Sequence, residues 1–265
     1  MENAGSGGQA FPGRLKAKKQ PAPQFKTLSD GLNPARSQDK ENPMDYPALL
    51  AVLQQHANPE RAAPMQAYMK HRFAYFGIGK PELARLCSPF FKGAAKQPVD
   101  WDFVRRCWDD PHRELQYAAL EYLKKMQQRL TPQDIPRLQM LITEKSWWES
   151  SDILDRIVGD IALRHPEVNS VLLAWSTDDN IWLRRVAIDH QLLRKQHTDT
   201  ALLEKIICNN LEQKEFFINK AIGWALRDYS KTNPEWVQGF IDRHRHKMAK
   251  LSLREASKYL TPKVV

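Results

Sequence analysis

Asp152 lies one helical turn after Trp148 in the run Trp147-Trp148-Glu149-Ser150-Ser151-Asp152-Ile153-Leu154-Asp155. Side chains at i and i+4 share a helix face, so this spacing sets a carboxylate beside an indole. Such a carboxylate can stabilise a developing cation and orient an attacking water. A lone aspartate on a helix is ordinarily just solvated, and Trp148 is what separates Asp152 from that case. At about 100° per residue, Ile153, Leu154, Ile157, Val158 and Ile161 form an apolar stripe with Trp147 at its edge. Trp148 falls nearly opposite, with Asp152, Asp155 and Gly159. Asp155 is the rival carboxylate, whereas Asp160 lies off the Trp148 face and is expected to meet solvent.

A second indole repeats the pattern. In Phe216-Phe217-Ile218-Asn219-Lys220-Ala221-Ile222-Gly223-Trp224, the core stripe is Ile218, Ile222, Ala225 and Tyr229. Trp224 falls on the other side with Lys220, Arg227 and Asp228. One such tryptophan could simply fill a gap between helices; two, one of them beside a carboxylate, point to a recognition surface. In Asp179-Asn180-Ile181-Trp182-Leu183-Arg184-Arg185, Arg184 takes the polar side with Gln191 and Arg194. Arg185 falls among Ile181, Ile188, Leu192 and Trp182. An arginine in apolar surroundings needs an anion: its own Asp189 at i+4, a phosphate, or Asp152.

The elements that must position these groups are helices throughout. Helix starts recur at Asn58-Pro59-Glu60, Lys80-Pro81-Glu82, Asp110-Pro111, Thr131-Pro132, His165-Pro166 and Asn233-Pro234. Helices are expected near 45–56, 59–71, 81–92, 100–108, 112–129, 132–144, 147–163, 166–175, 180–195, 199–210, 214–230, 234–244 and 252–260. Strand patterning is missing. Helix pairs on short connectors, recurring about every 35–45 residues, imply an all-α curved superhelical solenoid of degenerate HEAT-like repeats. Its concave face could follow a nucleic-acid backbone. Residues 1–43, rich in Gly, Pro and basic residues, read as a disordered basic tail ahead of one helical-repeat domain at 44–265.

The chain carries 40 Lys and Arg against 31 Asp and Glu, a net charge of +9. That excess suits a phosphate-binding surface but is also common in proteins that bind no anion. Cys87, Cys107 and Cys208 are far apart and include no C-x-x-C. No disulfide framework or zinc site is expected, only the buried free thiols of a reducing cytoplasm. His244-Arg245-His246 reads as a solvated basic face. No apolar run approaches a membrane span and no signal peptide is evident. Walker, G-x-G-x-x-G, G-x-S-x-G and H-E-x-x-H patterns are missing, which leaves phosphoryl transfer, dinucleotide redox and serine hydrolase chemistry without support. Gly77-Ile78-Gly79-Lys80 reads as a turn between helices.

With these residues in view, the chain resembles the AlkD-like DNA alkylation repair family. The matching segments are Pro64-Met65-Gln66-Ala67-Tyr68-Met69-Lys70, Lys145-Ser146-Trp147-Trp148 with Asp152, Gly159-Asp160-Ile161, His165-Pro166-Glu167, the segment 179–185, the long run 214–229, and Leu251-Ser252-Leu253-Arg254-Glu255-Ala256. They span about residues 45 to 260. The resemblance implies a HEAT-like solenoid and a DNA glycosylase for alkylated purines, with Asp152 as catalytic aspartate, Trp148 and Trp224 as site tryptophans, Arg185 as site arginine and Tyr68 as a DNA contact. Gly79 and Lys80 depart from the family pattern, where polar DNA contacts would be expected.

The expected reaction is hydrolysis of the N-glycosidic bond of a cationic N3- or N7-alkylated purine in duplex DNA. Asp152 would stabilise the sugar cation, Trp148 and Trp224 would pack on the sugar, and Arg185 would hold a flanking phosphate and keep Asp152 ionised. Tyr68, Lys220, Arg184, Arg227 and Arg254 are the expected DNA contacts, with salt-sensitive affinity. Neither a metal nor another cofactor is called for, and a cytoplasmic, DNA-associated monomer is expected. The alternative is a non-enzymatic repeat scaffold that binds nucleic acid or protein through the same basic face. A base-coding RNA binder would need more regular repeats.

Overall fold

The computed structural model describes residues 44–260. The tail expected at 1–43 lies outside the described residues, as do 261–265. Among the described residues the chain forms thirteen α-helices joined by short turns and 3-10 segments. They are α1 (Tyr46–Gln55), α2 (Pro59–Tyr68), α3 (Lys80–Cys87), α4 (Trp101–Asp109), α5 (Arg113–Lys125), α6 (Ile135–Thr143), α7 (Trp148–Arg164), α8 (Asn169–Trp175), α9 (Ile181–Asp189), α10 (Thr200–Cys208), α11 (Phe216–Ser230), α12 (Pro234–His244) and α13 (Lys250–Ala256). No described residue belongs to a named strand; Ala74 and His112 form an isolated bridge. Among the described residues no helix is long and apolar enough to cross a membrane.

Local chemistry sets many of the starts. The side chains of Asn58, Asp100, Asn180, Asp199 and Asn233 each accept a hydrogen bond from a first-turn backbone N–H, satisfying donors that helix geometry leaves open. The expected starts at Thr131-Pro132 and His165-Pro166 hold, but each opens with a single 3-10 turn. Several ends come early: the helices expected to reach 92, 129 and 260 stop at Cys87, Lys125 and Ala256, and two others stop ahead of residues with positive φ. The helix expected to reach residue 71 stops at Tyr68, because Lys70 and His71 take positive φ (54° and 55°). The helix expected to reach 195 stops at Asp189, ahead of Leu193 and Lys195, which also have positive φ.

The helices pack in two layers. In one, α3, α5, α7, α9, α11 and α13 each contact the next; in the other, α4, α6, α8 and α12 cover α5, α7, α9 and α11, while α10 packs on α8 and α9. This alternation is the helical-repeat architecture expected from the sequence. The stripe on α7 is buried at Leu154, Ile157, Val158 and Ile161, with Ile153 half-exposed; that on α11 is buried at Ile218, Ile222, Ala225 and Tyr229.

Two glycines allow the first layer to close. A Cβ on Gly159 of α7 would sit 2.0 Å from the His190 carbonyl oxygen just after α9. One on Gly223 of α11 would sit 2.6 Å from Glu255 Cβ on α13. Any larger residue at either point would force the helices apart. The start of α7 is fixed from α5. The buried Arg113 donates from Nη1 to the Lys145 carbonyl at 3.1 Å and from Nη2 to Ser150 Oγ at 3.0 Å.

Candidate active site

Consecutive helices of the first layer bring Asp152, Arg185 and Trp224 together. Arg185 of α9 reaches α7 through two bonds to one oxygen, Nε to Asp152 Oδ1 at 3.0 Å and Nη2 to the same atom at 2.6 Å. Its Nη1 donates to the Phe217 carbonyl of α11 at 2.8 Å. The guanidinium also lies 5.5 Å from the centroid of Trp224, within cation–π range. Phe217, whose carbonyl takes the Nη1 bond, packs its ring on Trp147 and Trp182, and the three centroids are 5.9, 5.5 and 5.0 Å apart. Arg185 is therefore locked on all sides; its side chain is 2 % exposed, while that of Asp152 is 18 % exposed. The expectation that Arg185 grips a flanking phosphate is corrected: every donor the structure assigns it goes to the protein, and it serves as the anchor of Asp152.

Beneath Asp152 lie two further carboxylates. Asp155 of α7 and Asp189 of α9 are buried, and ligand oxygens of the three aspartates all lie within 4.8 Å of one another. Asp189 Oδ2 is 3.6 Å from Arg185 Nη2, yet among the described residues neither Asp189 oxygen has a hydrogen-bond partner, nor has Asp155 Oδ1. Arg185 and Arg156 both pull against burial, yet burial dominates and favours the protonated form of the interior pair. Burial drives Asp189 up to about 7, against the pull of Arg185. Burial, then the proximity of Asp189, drives Asp155 well above the carboxylate range. Asp155 is thus enclosed, and burial disfavours the charged form that a rival catalytic carboxylate would need. Asp152 is also raised, by burial first, with Arg185 pulling the other way. Burial opposes the charge on Arg185, but Asp189 and Asp152 outweigh it and hold the guanidinium above its ordinary value.

A model of the family described as "DNA alkylation repair enzyme" matches residues 49–260. The chain belongs to the DNA alkylation repair enzyme family. A solved structure described as a predicted DNA alkylation repair enzyme from Enterococcus faecalis is 36% identical, covers 77% of this chain and 97% of its own, and superposes with a TM-score of 0.72. The crystal structure of AlkD2 from Streptococcus mutans shares the fold at 13% identity (69% and 91% covered, TM-score 0.54). That of smu.31 from Streptococcus mutans UA159 does so at 15% (68% and 98% covered, TM-score 0.53). None of the curated proteins compared with the chain matches it.

In this DNA alkylation repair family member, Trp148 opens α7 half-buried, and its ring meets Tyr68 edge-on at 6.3 Å with an interplanar angle of 79°. Tyr68, at the end of α2, is 69% exposed. Trp224 is half-buried, and its Nε1 is enclosed without a hydrogen-bond partner. Lys220 and Arg227 flank its ring at 5.6 and 5.7 Å. Both are already paired: Lys220 Nζ lies 2.9 Å from Glu255 Oε1 and Arg227 Nη1 2.8 Å from Glu255 Oε2. The Lys220 hydrogen bond, more than any other contact, holds Glu255 below the usual carboxylate range. These two cations are therefore partly neutralised rather than free. Arg184 stands apart from the cluster, donating to Asn210 and Gln213 at 2.8 Å each. Arg254 is exposed on α13. Asp160 is held by Arg164 at 2.9 Å instead of facing solvent alone.

Three groups escaped the sequence reading. Asp189 figured only as a possible partner of Arg185, and Glu255 only as part of a matching segment. Glu149, adjacent to Trp148, accepts from the Tyr117 hydroxyl and lies 3.6 Å from Lys80 Nζ. The i+4 spacing of Arg185 and Asp189 was a local signal. The other two depend on partners 28 or more residues away, which no periodicity reveals.

Proposed function

We propose that the protein is a DNA glycosylase that hydrolyses the N-glycosidic bond of cationic N3- or N7-alkylated purines in duplex DNA. Alkylation at those positions leaves the base positively charged. When C1′–N9 breaks, the bonding electron pair goes to the base, which departs neutral without being protonated. The charge moves to the deoxyribose as an oxocarbenium-like cation. Water then adds its oxygen at C1′ and releases a proton, leaving an abasic site.

The observation that carries this reading is Asp152, held on one oxygen by a buried arginine and partly open, one turn from Trp148. A carboxylate fixed in advance stabilises a cation without reorganising as the charge develops. Arg185 supplies that fixation, and its burial and its bond to the Phe217 carbonyl keep it from swinging away. Both bonds from Arg185 go to Oδ1 of Asp152, so an ionised Asp152 leaves its second oxygen to give the partly open edge of the cluster a negative polarity. That polarity suits a sugar cation. A protein that only gripped phosphates would gain nothing from it, which separates this reading from a non-enzymatic scaffold.

The test is release of free base from methylated duplex DNA, followed by chromatography. Wild type should release 7-methylguanine or 3-methyladenine. Asp152→Asn should bind the same DNA with unchanged affinity and release base at least about tenfold more slowly. Normal release by that variant would refute the role given to Asp152. Because Asp152 is raised, the acid limb of the rate profile should fall above the ordinary carboxylate value of 3.8, with activity lost as Asp152 takes up its proton.

A further inference from the structure

Apart from the candidate active site, another group of side chains converges between α10 and α12. Glu204 and Cys208 are one turn apart on α10 and so share a face. That face meets the last turn of α12, where His244 Nε2 lies 3.0 Å from Glu204 Oε1 and 3.7 Å from Cys208 Sγ. All three donor atoms lie within 4.8 Å of one another. A single imidazole nitrogen can donate or accept once, so it cannot satisfy both neighbours.

We propose that Glu204, Cys208 and His244 form a binding site for a zinc-type divalent ion, independent of the DNA reading. Thiolate, imidazole and carboxylate are the donors zinc takes, and tetrahedral bonds of the usual lengths set donor atoms roughly 3.4–3.6 Å apart. The observed 3.0 and 3.7 Å edges straddle that range. The sulfur–oxygen edge, no longer than 4.8 Å, needs to close by about 1 Å at most. Cys208 is exposed, in contrast to the buried Cys87 and Cys107. This corrects the expectation of three buried thiols and leaves an entry path with a fourth position open to water. Binding exchanges the thiol proton for a sulfur–metal bond, the proton passing to solvent, and leaves the remaining imidazole proton on Nδ1.

Arg243 is the competitor. Its Nη2 lies 3.0 and 2.9 Å from the two Glu204 oxygens, and its side chain is 52% exposed. It can swing into water when the metal takes the carboxylate, at a cost in affinity. Lys247, which lies 3.7 Å from Glu212, adds positive charge close by. The dissociation constant is therefore expected near the micromolar range, far weaker than closed structural zinc sites. Periodicity alone could not reveal the site, since two ligands are at helix spacing and the third is 36 residues on.

The test is titration of the full chain with cobalt(II), then zinc(II). Wild type should develop a saturable thiolate-to-cobalt absorption band at one equivalent, which zinc then displaces. Cys208→Ser should abolish the band, and His244→Ala should weaken zinc binding by about tenfold or more. Arg243→Gln, which removes the competing cation, should tighten binding several-fold. A purely structural salt bridge predicts no band in wild type and no gain from Arg243→Gln; either result overturns the proposal. Base-release activity does not enter the measurement, so the glycosylase reading can fail while this one stands.

Discussion

Across the contact between α7 and α9, three carboxylates face the buried Arg185, with Arg156 also pulling on them; across the contact between α11 and α13, one carboxylate faces Lys220 and Arg227. Arg185 from the first contact and both cations from the second lie within 5.7 Å of the Trp224 ring. The first is short of positive charge and answers by protonating its interior acids. The second has cation to spare and holds Glu255 ionised. The contrast separates two tasks a damaged nucleotide poses. A cationic sugar calls for negative charge held rigidly, and a phosphate calls for positive charge nearby. The buried contact suits the first task, since a fixed carboxylate acts strongly where water is scarce. The half-exposed contact suits the second, since its side chains can re-pair.

The most severe way to break this contrast is Arg185→Ala. It strips the interior acids of their cation and should destabilise the fold by about 3–5 kcal/mol, or roughly 10 °C in Tm for a chain of this size. The loss should be greater at pH 8 than at pH 5, where the interior acids are protonated without help. Equal losses at both pH values would show that the aspartates are not the partners that matter.

Gly159→Ala should come next, at about 1–3 kcal/mol, because the added Cβ strikes the His190 carbonyl. Denaturant unfolding measures it, and a neutral result would show that α7 and α9 can separate freely.

Asp189→Asn sharpens the protonation argument. A folded-state value raised from 3.8 to about 7 means the native protein holds a proton that the unfolded chain releases. The stability this gives is fully present below about pH 4 and is lost as pH rises through about 7. Thermal melts from pH 4 to pH 8 should show that decline in wild type and a flatter profile in Asp189→Asn. An unchanged slope would place the titration elsewhere.

Glu255→Gln should have the smallest effect, and in the favourable direction. Freeing Lys220 and Arg227 should tighten binding to undamaged duplex and steepen its salt dependence by up to about 0.9 per added phosphate contact. Weaker binding would mean that Glu255 is needed to aim the two cations.

Helical periodicity alone placed Trp148 beside Asp152 and set Trp224 apart from its core stripe, and it singled out Arg185 as needing an anion. These are relations within one helix, where 3.6 residues per turn converts spacing directly into direction. Pro and cap signals likewise marked six of the helix starts, though nothing marked where positive φ ended α2 and α9. Only tertiary packing decided which anion Arg185 meets, that Asp155 is enclosed, that Lys220 and Arg227 are tied to Glu255, and that His244 leaves a basic face to join Cys208. Each of those pairings crosses between helices, or depends on how deeply neighbours bury a group. Its energy comes from desolvation and charge at contact distance, quantities set by the approach of whole helices at points such as Gly159 and Gly223 and not by any spacing along the chain.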